Sequence, residues 1–123
     1  YKIDSSIIQM TEDQTFIAQE IKAGRMTPEQ AKVDKRRNML LQCIGASDSV
    51  IPQIITGKAT NGTYMLCSDG FRHEISPKEM YESLNPVNLI NKEAMHANAK
   101  YLIDQVKRRR EKDNISVILI KAY

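Results

Sequence analysis

The run ISVILI at 115–120 constrains the fold more than any other stretch of this chain. Only Ser116 interrupts it, and six residues is the length of a strand rather than of a helix. A strand apolar on both faces asks to be covered on both faces. The run is therefore expected to be a central strand in a layered α and β domain. It opens at Asp113-Asn114, a turn pair. A second apolar strand, read over Thr63–Ser68, stops as abruptly at Asp69-Gly70 in the stretch MLCSDGF.

These two breaks acquire a joint meaning if the strands are antiparallel neighbours. The end of one then lies beside the start of the other, and Asp69 and Asp113 project at one end of the sheet. Two carboxylates there repel and need a partner. A hard divalent cation, Mg²⁺ or Mn²⁺, takes oxygen ligands and keeps several waters, and it suits the place. Gly70 would allow a sharp backbone turn beside it, and Asn114 could brace the loop through its side chain. Asp-Gly and Asp-Asn are also ordinary turn dipeptides, and from spacing alone the turn reading prevails.

Other elements follow from local signals. Tyr1–Ile3 and Ser6–Gln9 read as short strands around an Asp4-Ser5 turn. Thr11 with Gln14 resembles a capping box for a helix over 12–23, closed by Gly24. Thr27 and Pro28 start a second helix over 28–34. Leu40–Ile44 and Val50–Ile55 read as strands, the latter at an edge because of Pro52. Residues 57–62 form a loop. Ser76-Pro77 opens a helix carrying Met80, Tyr81 and Leu84 that ends at Asn85-Pro86. The longest helix is expected from Lys92 to Arg110, with Met95, Ala99, Leu102 and Val106 on one face.

With 123 residues, 41% hydrophobic and 27% charged, the chain suits one packed domain. No apolar run of about 18 residues predicts a membrane span, and YKIDSSIIQM has no signal-peptide pattern. It also lacks an initiator Met. Cys43 and Cys67 sit among apolar neighbours and are read as buried free thiols in a reducing cytoplasm. The net charge of +3 does not call for nucleic acid or membrane. The run KRRREK at 107–112 could bind phosphates, but a solvated helix C-terminus explains it better. For Lys35-Arg36-Arg37-Asn38, recognition of a phosphorylated or acidic partner and an exposed connector both stay open. His73 and His96 have no zinc spacing, and Ser68 is not in a nucleophile elbow.

Taken in order, the motifs resemble the type-2C, metal-dependent serine/threonine protein phosphatases. LCSDGFRHEIS at 66–76 and DNISVILI at 113–120 are similar to that family's two C-terminal motifs. YKI at 1–3 and TEDQTFI at 11–17 resemble segments upstream of them. GRMTPEQAKVDKRRNMLLQCIG at 24–45 resembles the bacterial flap and the strand after it. Gln14 stands where the family commonly has His. The Asp-Gly-x-Gly-Gly and Gly-Asp-Ser-Arg motifs of the family's N-terminal half do not occur.

The resemblance implies an α+β fold: the C-terminal half of an α/β/β/α sandwich, with antiparallel sheets flanked by helices, over residues 1–123. It implies hydrolysis of phosphoserine and phosphothreonine by a metal-activated water, with two or more Mg²⁺ or Mn²⁺ ions in the intact enzyme. Asp69 and Asp113 match metal-ligand positions, with Ser68, Gly70 and Asn114 beside them, and no other catalytic residue is carried over. Residues 24–38 match the flap, where Arg25, Met26, Arg36, Arg37 and Asn38 would shape substrate access. The expected partner is a phosphoprotein made by a serine/threonine kinase, in bacterial cytoplasmic signalling. The fragment alone is expected to bind metal weakly, to be inactive, and to dimerise or swap elements for want of its N-terminal half. A phosphatase-like binding or regulatory module without catalysis is the alternative.

Overall fold

A computed structural model describes residues 1–123, which form two compact units. The first comprises Tyr1–Met10 and Gly57–Tyr123, and the second Thr11–Thr56.

The first unit is built on a four-stranded antiparallel sheet. Its strands are β1 (Lys2–Ile3), β2 (Ile7–Ile8), β3 (Gly62–Cys67) and β4 (Val117–Ala122), in the order β2-β1-β3-β4. β1 and β2 form the expected hairpin. Its turn is held by Asp4, whose Oδ1 accepts from the N–H groups of Ser5 and Ser6 at 2.5 and 3.3 Å. β3 and β4 pair along their whole length, from Gly62 opposite Ala122 to Cys67 opposite Val117.

Three helices follow β3 in this unit: α3 (Asp69–Arg72), α4 (Pro77–Leu84) and α5 (Lys92–Arg108); α1 and α2 belong to the second unit. The signals at Ser76-Pro77 act as read. Ser76 caps α4 in a reciprocal box with Glu79, and Pro77 takes the first helical position. Asn91 caps α5 by accepting from the Ala94 N–H at 2.8 Å. Phe71, Met80, Leu84, Leu89, Leu102 and Val106 pack with Ile3 and Met65 in one buried cluster, and Cys67, Val117 and Leu119 lie against it. Truncating one of these large aliphatic side chains to Ala costs about 2–5 kcal/mol in such a core.

The terminal strand is not central. β4 pairs with β3 alone and stands at the edge of the sheet. Its residues alternate, with Val117 and Leu119 toward the core while Ile118 and Ile120 are 61% and 52% exposed. Their cross-strand neighbours Leu66 and Tyr64 lie on the same outer face. The run is thus apolar on both faces while this chain covers one of them.

The second unit holds α1 (Phe16–Lys22) and α2 (Pro28–Val33). α2 starts as expected, with Thr27 and Gln30 forming a complete capping box. α1 starts later than Thr11. Its cap is Thr15, whose Oγ1 accepts from the Ala18 N–H at 3.2 Å. Gln14 lies before this helix rather than in its first turn, with its side-chain oxygen accepting from Gln42 Nε2 at 3.0 Å and its amide donating to the Ile51 carbonyl at 3.1 Å.

The strands expected at Leu40–Ile44 and Val50–Ile55 do not form. Leu40 makes a single bridge to Thr15. The Ile51 backbone is taken by side chains instead. Gln42 Nε2 donates to its carbonyl at 2.8 Å, and Gln42 Oε1 accepts from its N–H at 2.6 Å. Those amides occupy the groups a sheet ladder would use. Cys43, expected to be buried, is exposed, and Cys67 is half-buried.

Candidate metal centre

The antiparallel register of β3 and β4 brings Asp69 and Asp113 to one end of the sheet. Beyond the last pair, Cys67 opposite Val117, Ser68 continues the ladder. Its N–H donates to the Ser116 carbonyl at 3.0 Å, and its Oγ accepts from the Ser116 N–H at 3.0 Å. The same hydroxyl donates to the Asn114 carbonyl at 3.0 Å. Ser68 therefore fastens the strand end, which explains why it precedes α3 without capping it through its side chain.

Gly70 closes the approach. A Cβ there would lie 2.4 Å from the Asn114 carbonyl oxygen and 3.2 Å from Asp113 Cβ. Only a residue without a side chain lets the start of α3 press against the 113–114 backbone. Asp69 and Asp113 are both exposed. Asp69 Oδ1 accepts from the Gly70 N–H at 3.0 Å, and Asp113 Oδ1 from the Asn114 N–H at 2.7 Å. Asn114 contributes backbone groups to these contacts, where its side chain was expected to brace the loop.

The brace is Glu111, which the sequence reading passed over inside KRRREK. Its Oε1 accepts from the N–H groups of both Lys112 and Asp113 at 2.8 Å, and its Oε2 contacts His73 Nδ1 at 3.2 Å. The Asp113 N–H first, then the Lys112 N–H and His73, hold the Glu111 carboxyl below the usual carboxylate range against its partial desolvation. An acidic residue two before an aspartate, where the chain turns, was the available signal.

Asp69 and Asp113 supply hard oxygen donors from adjoining backbone segments, a donor set that fits part of the shell of Mg²⁺ or Mn²⁺. It does not close one: no group of three or more His, Cys, Asp or Glu side chains gathers anywhere in the chain.

The remaining residues singled out from the sequence lie in the second unit or at the end of α5. Arg25 pairs with Glu20 at 2.5 Å. Arg36 pairs with Asp34 at 2.9 Å and stacks 4.4 Å from the centre of the Phe16 ring. Arg36 first, through its side chain, draws the Asp34 carboxyl down to about 2. Met26 is half-buried, whereas Arg37 and Asn38 are exposed. In the basic run, Arg109 pairs with Glu79 and donates to the Glu74 carbonyl at 2.5 Å, so this guanidinium ties α5 to α4. No helix is long and apolar enough to cross a membrane.

No protein-family model matches the chain. Individual proteins do. The serine/threonine phosphatase Stp of Listeria monocytogenes is 28% identical over 114 residues, which are 92% of this chain and 43% of that protein. The crystal structure of the serine/threonine phosphatase Stp1 from Staphylococcus aureus superposes with a TM-score of 0.83 at 24% identity, over all of this chain and 47% of that one, and so shares its fold. The catalytic domain of the serine/threonine protein phosphatase PstP, solved in complex with two manganese ions, superposes with a TM-score of 0.66 at 27% identity, over 90% of this chain and 43% of that one. Across most of its length the chain is homologous to bacterial serine/threonine phosphatases, in agreement with the type-2C resemblance of its motifs. It spans about half the length of the relatives it matches.

Proposed function

We propose that this chain is the C-terminal part of the catalytic domain of a metal-dependent protein serine/threonine phosphatase, and that Asp69 and Asp113 are metal ligands in it. One observation carries the reading. The two carboxylates that match the family's ligand positions stand on backbone segments pressed together at Gly70, where a Cβ would lie 3.2 Å from that of Asp113. The manganese ions of the PstP structure support a divalent metal, Mn²⁺ or Mg²⁺, as the group held here. When bound, such a group supplies acidified water and neutralises charge on a phosphoryl oxygen. The chain's own part is to fix two carboxylates in place, through the Ser68 bridge to Asn114 and Ser116 and the close approach at Gly70.

The substrate on this reading is a protein carrying phosphoserine or phosphothreonine, with residues 24–38 shaping access as a flap. The setting is bacterial cytoplasmic signalling, and an exposed free thiol at Cys43 suits a reducing compartment. With only two carboxylates, the isolated chain binds metal weakly and hydrolyses little. The remainder of the domain covers the outer sheet face at Leu66, Ile118 and Ile120, and dimers or swapped forms substitute for it in the isolated chain.

The test is reconstitution. The chain is combined with the portion of the Listeria monocytogenes relative that it does not span, and phosphate release from a phosphothreonine peptide is followed with Mn²⁺. Release that neither piece gives alone, and that Asp69→Asn or Asp113→Asn abolishes, is expected. Persistent inactivity favours a non-catalytic phosphatase-like module.

A further inference from the structure

We propose that Glu111 is a positioning residue for Asp113, holding the loop that presents this carboxylate, with His73 as its latch. The inference rests on the reading of Asp113 as a metal ligand.

The geometry begins at the C-terminus of α5. The helix closes with the Arg110 N–H on the Lys107 carbonyl at 3.0 Å and the Glu111 N–H on the Val106 carbonyl at 3.3 Å, and Arg110 adopts φ 67°. This is a Schellman closure, and it sets the direction in which the chain leaves the helix. From there only Lys112 separates Glu111 from Asp113. Residues 111–114 have no strand partner of their own, since β4 starts at Val117.

One carboxylate supplies what the missing ladder would. Glu111 Oε1 accepts from two successive N–H groups, those of Lys112 and Asp113, both at 2.8 Å. The loop is thereby curled around a single side-chain oxygen. The second oxygen reaches His73 Nδ1 at 3.2 Å, and His73 caps the C-terminus of α3, the short helix that begins at Asp69. The same carboxylate thus bonds the Asp113 backbone and reaches the helix carrying Asp69. Its side chain is 10% exposed, while those of Asp69 and Asp113 are open to solvent. Two hydrogen bonds from successive N–H groups to a charged acceptor are among the stronger ones a loop can make. Outer partners of this kind orient ligands, and their loss weakens metal affinity by about 10–100-fold.

Mn²⁺ binding to the purified chain, read by the electron paramagnetic resonance signal of free Mn²⁺, tests this without any assay of activity. Wild type, Asp113→Asn, Glu111→Ala, Glu111→Gln and His73→Ala are compared, each with a urea midpoint. Glu111→Ala is expected to weaken Mn²⁺ binding by about tenfold. Glu111→Gln keeps an Oε1 acceptor for both N–H groups and is expected to restore most of the affinity. His73→Ala is expected to have the smaller effect, since it leaves both of those bonds intact. A residue of merely structural importance would shift the urea midpoint without this rescue pattern in Mn²⁺ affinity. If Glu111→Ala does not fold, Glu111→Asp, one methylene shorter, is read by the same criterion. Wild-type affinity in Glu111→Ala, together with reduced affinity in Asp113→Asn, overturns the positioning role and leaves the ligand reading standing. Equal loss in Glu111→Gln and Glu111→Ala also overturns it. If Asp113→Asn binds as wild type does, the ligand reading itself falls, and this inference with it.

Discussion

Gly70 and Asn114 are in direct backbone contact: a Cβ on Gly70 would stand 2.4 Å from the Asn114 carbonyl oxygen. That oxygen also accepts the Ser68 hydroxyl at 3.0 Å, so it is pinned from two sides. Gly70→Ala cannot be absorbed by a rotating side chain, because the obstacle is backbone. It is expected to destabilise the fold by about 1–3 kcal/mol, the range for overpacking a closed site. Urea unfolding measures this. A loss below about 0.5 kcal/mol would mean that the two segments separate easily, and the closeness of Asp69 to Asp113 would not be enforced.

The contact between α4 and α5 is electrostatic at one end. Arg109 first, then Ser76, hold the Glu79 carboxyl down to about 2, from an ordinary 4.5. A carboxyl whose folded value is depressed binds fewer protons folded than unfolded, so stability rises with pH across that interval. The contribution is complete above about pH 4.5 and fades as pH falls toward 2. Glu79→Gln keeps a cap acceptor for Ser76 but removes the titration. Its urea midpoint is expected to fall less than that of wild type between about pH 5 and about pH 3, an interval that brackets the usual carboxylate range. Parallel pH profiles for the two proteins would contradict this.

Thr63 is fully buried in β3, and its Oγ1 has no hydrogen-bond partner. A buried hydroxyl without a partner carries its desolvation cost uncompensated. Thr63→Val replaces it with a methyl group of similar shape and keeps the β-branch. The variant is expected to be more stable by about 1 kcal/mol in urea unfolding. A destabilised Thr63→Val would show that the hydroxyl is satisfied in solution.

Much of the first unit was legible because its signals are local. Ser76-Pro77, Asn85-Pro86 and the spacing of Leu102 and Val106 each specify an element without reference to distant chain. The pairing of the two strands that end at Asp69 and begin after Asp113 was a condition of the metal-site reading, and the antiparallel register of β3 and β4 meets it. What failed depended on partners elsewhere. ISVILI looks central because it is apolar on both faces, yet β4 is an edge strand and Ile118 and Ile120 are 61% and 52% exposed. Leu40–Ile44 and Val50–Ile55 have strand composition, but the side-chain amides of Gln14 and Gln42 satisfy the Ile51 backbone, and strand composition carries no signal of such side-chain to backbone bonds. In the candidate site, Asp69, Gly70 and Asp113 stood out as motif residues. Glu111 did not, because a charge inside a basic run reads as solvated surface until the curl of the loop brings Lys112 and Asp113 onto it.

The central claim is that Asp69 and Asp113 share a divalent cation, and a direct titration of the chain with Mn²⁺ tests it most plainly. Wild type is expected to bind weakly and saturably. Asp69→Asn and Asp113→Asn are each expected to lower the affinity by about tenfold or more, since each removes a charged oxygen ligand. The double variant is expected to lose saturable binding, because both charged oxygen ligands are then gone. Binding by both single variants that matches wild type would contradict the account.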